Sequence, residues 1–215
     1  MMKTFYAIIV LLLSMPVLAQ RQDTVIHHHF KEYMPAQEMT AFNERQNLIN
    51  RRGLFTLTGW AGANVIYGSI AAPLTHGEAR YFHATNAIWG AINVLIAAPG
   101  AAATYSKKRD DNITFGQTLL RQHGQEKLYL LNGALDFAYV GAGAAMWGFS
   151  DRISKPGTRE AVSGIGKGVL MQGAFLLLFD WSMYIVHSQH AFRKLNHYTS
   201  GLVYTGTGVS YSLAF

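Results

Sequence analysis

Two sets of side chains in this 215-residue sequence have the types and spacing that chemistry uses. The first is histidine: His27, His28 and His29 in "VIHHHF", and His187 and His190 in "HSQH", with His123 and His197 in other polar segments. Imidazoles are ordinary ligands for zinc, copper or nickel, and two histidines three apart on a helix share a face and can share an ion. A metal is therefore the one cofactor the sequence suggests, although no HExxH motif and no cysteine accompanies these residues. The plain alternative is that they are solvated or interfacial. The second set is Asp136, Asp180 and Lys167, ionisable groups placed inside runs greasy enough to lie in lipid. Such groups in a bundle interior relay protons or bind ions, and adjacent carboxylates perturb one another. The plain alternative here is a structural lock, in which Asp136 accepts hydrogen bonds from Asn64, Asn86 or Gln172.

Other motifs carry less. "GIGKG" at residues 164–168 has a phosphate-loop flavour without the Walker spacing or the following Ser or Thr, and close helix packing explains it. No serine stands in a GxSxG context, so no catalytic residue is assigned and the reading is non-enzymatic.

The elements that position these residues are four apolar runs, 54–74, 84–105, 128–150 and 161–187. Each matches or exceeds the roughly 20 residues that a spanning helix needs. Before them, "AQEMTAFNERQNLINRRG" places Met39, Phe42, Leu48 and Ile49 at roughly helical spacing, which predicts an amphipathic helix at the interface. The fold class expected is all-α: a four-helix transmembrane bundle of two helical hairpins, preceded by that amphipathic helix and followed by a short C-terminal extended tail. In domain terms, residues 1–19 read as a signal peptide, 20–53 as a polar segment with the amphipathic helix, 54–187 as the membrane domain and 188–215 as the tail. The signal is "MMKTFYAIIVLLLSMPVLAQ", with a basic Lys3, an apolar stretch and small residues before a cleavage point after Ala19.

Polar residues inside the runs fall on single helical faces. Asn132, Asp136, Tyr139 and Gly143 are spaced by four, three and four; Asn86, Gly90, Asn93, Ala97 and Gly100 keep a similar rhythm. Gly164, Gly168, Gln172, Leu176 and Asp180 recur every fourth residue, as do Trp60, Asn64 and Gly68. Small and amide-bearing stripes of this kind are the contact surfaces of membrane bundles. A carboxylate at mid-bilayer costs about 2.5 to 3.5 kcal/mol on insertion scales, so Asp136 and Asp180 are expected to face inward. The expected polar interior is thus Asn64, Asn86, Asn93, Asn132, Asp136, Gln172 and Asp180.

Only 14% of residues are charged while half are hydrophobic, which turns the net charge of +6 toward lipid headgroups. No basic face with interleaved aromatics is present, so nucleic acid is excluded as a partner. The expected partners are membrane lipid and a second copy or another membrane protein, and the expected location is a bacterial inner membrane reached by export. Topology conflicts with this: an exported N-terminus leaves most of the Lys and Arg outside, against the positive-inside rule. The ending "YTGTGVSYSLAF" alternates up to a terminal aromatic, as the last strand of an outer-membrane barrel does, making a β-barrel the competing fold.

"NVIYG" at 64–68 echoes "DFAYVG" at 136–141, which suggests two tandem hairpins. The stretches "NGALDFAYVG" and "GIGKGVLMQGAFLLLFDWSMY" resemble a family of small uncharacterised bacterial membrane proteins with four predicted helices. The resemblance covers residues 127–184, singles out Asn132, Asp136, Gln172 and Asp180, and implies no activity.

Overall fold

The computed structural model describes residues 34–106, 113–199, 202–204 and 209–211. The proposed signal segment 1–19 and His27 to His29 lie outside them. Four long helices make up most of the described residues: α1 (Ala36–Leu74), α2 (Gly77–Ser106), α3 (Phe115–Phe149) and α4 (Pro156–Thr199). Two short strands follow, β1 (Leu202–Tyr204) and β2 (Val209–Tyr211), paired antiparallel with Val203 opposite Ser210.

Each helix boundary has a local cause. Gly77 sits at φ +58°, a left-handed conformation that reverses the chain between α1 and α2. Thr114 opens α3 through a reciprocal capping box: its hydroxyl accepts from the Gln117 amide, and the Gln117 side chain accepts from the Thr114 amide. A 3₁₀ turn at Ser150–Arg152 leads to Pro156, which begins α4 where a missing N–H costs nothing.

The sequence-based boundaries need correction. The amphipathic segment is not a separate helix, because α1 runs unbroken through Gly53 for 39 residues. α3 starts thirteen residues before the apolar run at 128, and α4 continues past His187 to Thr199. Hydropathy falls at those points, yet no residue there breaks a helix. Leu195 is buried and Ala191 and Tyr198 pack beside it, a helical i, i+4, i+7 face that continues α4 into the expected tail. The β-barrel alternative is disfavoured, since all four apolar runs are helical and the strands described form a two-stranded ribbon.

α1 packs on α2 and α3 on α4, as the two expected hairpins, and α4 also packs along α2. Glycines set these approaches. A Cβ on Gly68 would stand 2.6 Å from the His83 carbonyl oxygen, and one on Gly90 the same distance from that of Ala61. Gly143 and Gly166 bring α3 and α4 together in the same manner, and Gly164 meets the start of α2.

Two kinds of packing alternate along the molecule. In the body, amides and carboxyls are inside, while Ile66, Ile70, Leu95, Phe137 and Leu178 are more than half exposed. Beyond it, the first part of α1, the start of α3 and the end of α4 add an apolar cluster, Met34, Met39, Phe42, Phe115 and Leu195, next to buried Asn43, Gln46, Thr118 and Gln122. Charged residues such as Arg45, Arg193 and Lys194 lie on the outside there. Among the described residues one helix, α4 over Pro156–Asn196, is long and apolar enough to cross a membrane.

Candidate functional site

The buried polar residues form layers stacked along the bundle, and Gln172 organises one of them. It is fully buried on α4, where glycines at 164, 166, 168 and 173 let neighbouring backbones close in. Its carboxamide oxygen accepts from the Trp60 indole N–H at 3.0 Å; its nitrogen donates to the Asn64 and Asn86 side-chain oxygens at 2.8 and 2.7 Å. The asparagines in turn donate to carbonyls one turn back on their own helices. Every hydrogen-bonding site of the Gln172 amide except one lone pair is used, so α1, α2 and α4 are tied at one point. Phe175 stacks on Trp60 with centroids 4.0 Å apart, which shields the layer on one side.

A second glutamine repeats the device nearer the far end. Gln122 on α3, fully buried, accepts from Gln46 at 2.8 Å and donates to Glu126 and to the His187 carbonyl oxygen. Asn43 bonds Thr118 at 2.9 Å one turn further along. Neither Gln46 nor Gln122 was singled out from the sequence. The signal was present in their spacing: Asn43 and Gln46 alternate with Met39, Phe42 and Ile49 on the buried face of α1, and Thr118 and Gln122 sit four apart on α3. They were overlooked because they lie in segments read as polar, where a buried amide does not stand out.

Asp136 and Asp180 are buried and face each other across α3 and α4, with Asn132 beside Asp180. The sequence expectation that Asp136 would bond Asn64, Asn86 or Gln172 is corrected, because those three satisfy one another. Asp136 Oδ2 is buried with no hydrogen-bond partner, as is Asn93 Nδ2 on α2. Lys167 is not part of this group. It bonds the Glu78 carboxylate at the start of α2 and lies over the Trp147 ring at 5.1 Å.

Glu78 also accepts from Ser163 at 2.6 Å, and these bonds from Lys167 and Ser163 hold its carboxyl below its ordinary value of 4.5. A lowered carboxylate stabilises the fold above its unfolded pKa and loses that contribution as pH falls through the lowered one. Both partners are partly exposed, so the effect is small, below about 1 kcal/mol. Glu78→Gln should lower the melting temperature slightly at pH 7, and the gap to wild type should close as pH drops below 4.5. A gap unchanged down to pH 3, in parallel thermal scans, would show that the contact contributes nothing through charge.

The two α4 histidines diverge. His187 is fully buried, stacks on Tyr129 at 5.5 Å, and has both ring nitrogens unpartnered. His190 stacks on Phe42 at 4.2 Å and bonds its carbonyl oxygen at 3.1 Å. Among the described residues no group of three or more His, Asp or Glu side chains could hold a metal ion, and His27 to His29, the other members of the expected set, lie outside those residues.

An all-α bundle tied together by buried amides and a carboxyl pair is the class of protein that these observations define. A family model, a family of unknown function designated DUF6992, matches residues 56–181, and the chain belongs to that family. The match spans Asn64, Asn86, Asn93, Asn132, Asp136, Gln172 and Asp180. Neither the curated proteins nor the solved structures contain a match to it.

Proposed function

We propose that this chain is an integral membrane protein whose four helices cross the bilayer, and that its polar layers serve as a structural lock rather than as a catalytic centre. One observation carries the reading: the body is inverted relative to a water-soluble bundle. Large apolar side chains face outward on every helix, and the groups that water would welcome are inside. α1 and α4, at about 1.5 Å per residue, are close to 60 Å long, twice a hydrocarbon core of about 30 Å. The extension, with Arg45, Arg193 and Lys194 on its outside, then stands in water at one membrane face. The membrane is an inner bacterial one reached by export, and lipid, a second copy or another membrane protein covers the apolar exterior. Resistance to alkaline carbonate extraction tests the placement; release of the protein into the soluble fraction would refute it.

A second reading, a small ion- or proton-binding module, is favoured by the unpartnered Oδ2 of Asp136 beside Asp180. Asp136→Leu and Asp136→Asn separate the two. Under the lock, Asp136→Leu loses about 1 to 2 kcal/mol of stability in detergent and Asp136→Asn less, with no dependence on added cation. Stabilisation of the wild type by sodium that vanishes in Asp136→Asn would favour the binding module instead.

A further inference from the structure

A groove of about 730 Å³ lies between the first part of α1 and the end of α4, in the extension at the membrane face. Its floor is apolar, with Met34 and Phe42 toward the outer end and Ile49 and Val186 toward the body. Its rim carries Arg45, Arg193 and Lys194, and none of the three forms an ion pair with a described residue. Arg45, Lys194 and His190 share the lining, and the His190 ring is stacked on Phe42. The one carboxylate of the lining, Glu38, accepts the Tyr198 hydroxyl at 2.9 Å at the outer end.

From this geometry we infer that the groove holds an anionic phospholipid, its phosphate among Arg45, Arg193 and Lys194 and an acyl chain running over Phe42 toward Ile49 and Val186. The polarity along the groove fixes that orientation. Val186 and the adjacent Ile185 are each partly exposed and continue into the apolar exterior of the body, so an acyl chain entering there leaves the bilayer without crossing water. The cations stand one to two helical turns further out, where a headgroup would be. Three cations with no ion-pair partner among the described residues, beside an apolar trough, match an anionic amphiphile; a zwitterionic headgroup leaves them uncompensated. The orientation rests on the membrane placement proposed above, whereas the charge and shape of the groove do not.

Native mass spectrometry of the full-length protein in detergent, with dioleoylphosphatidylglycerol or dioleoylphosphatidylcholine added, tests this. The wild type should retain one phosphatidylglycerol in clear preference to phosphatidylcholine. The triple variant Arg45→Gln/Arg193→Gln/Lys194→Gln should weaken that retention by roughly tenfold or more. A control variant with the same charge loss at the opposite end, Arg80→Gln/Lys155→Gln/Arg159→Gln, should keep it. Equal retention of both lipids, equal loss in the control, or displacement of the lipid by inorganic phosphate alone would overturn the proposal. Carbonate extraction of the wild type and triple variant, run alongside, reports separately on the membrane placement, since neither should be released.

Discussion

Replacing Gln172 with leucine should destabilise the protein in detergent by about 2 to 4 kcal/mol, more than any other single amide change in the interior. Leucine has nearly the right volume, so the loss is not a packing one. It comes from three severed interhelical bonds and from what they leave behind: the Trp60 N–H and the Asn64 and Asn86 carboxamide oxygens, all inside the bundle. Interhelical bonds in membrane bundles average about 0.6 kcal/mol and reach about 1.7, so three of them set the lower part of the range, and the orphaned groups supply the rest. Asn86→Leu removes one of the three and should cost about 1 kcal/mol. A Gln172→Leu variant as stable as the wild type in reversible denaturant unfolding would refute the lock.

Gly143→Val should be at least as damaging, for a steric reason. A Cβ at this position would run into the Leu170 amide nitrogen and come within 2.8 Å of the Gly166 carbonyl oxygen. Both are helical backbone and cannot rotate aside, so α3 and α4 must separate. Overpacking typically costs about 1 to 3 kcal/mol, and contact with backbone on both sides places this variant at about 3. Gly141 and Gly148, on the same helix, have nothing within 4 Å of a Cβ, and alanine there should be tolerated or slightly stabilising. The comparison is internal, since the glycines share one helix and differ only in what they face.

Much of the body could be read from residue spacing. The stripes Trp60–Asn64–Gly68 and Gly164–Gly168–Gln172 do turn inward, Trp60 and Asn64 onto Gln172 and the three glycines onto α2, because a period near four on a helix defines a face. The partners on those faces were harder to assign. Spacing gives the angle of a residue around its helix but not its height against a neighbour, so Lys167, grouped by sequence with Asp136 and Asp180, pairs instead with Glu78. The echo between residues 64–68 and 136–141 shows the same limit. Asn64 and Asp136 occupy corresponding buried positions on the first helix of each hairpin, but Gly68 packs against α2 while Gly141 touches nothing. Helix ends were misplaced wherever hydropathy changed without a breaker, as at Gly53 and His187. The Gln46–Gln122 layer was missed for a related reason: it lies in segments rich in polar residues, where a buried amide does not stand out from the exposed ones.

The central claim, that the amides and carboxyls face protein while the large apolar side chains face lipid, is most directly tested with a carbene-generating reagent confined to the hydrocarbon phase. Applied to the protein in bilayers and mapped by peptide mass spectrometry, it should modify Ile66, Ile70, Leu95, Phe137 and Leu178. It should spare Asn64, Asp136, Gln172 and Asp180. Labelling of Asp136 or Asp180 as strong as that of Leu178, or none on the apolar faces, would contradict the account.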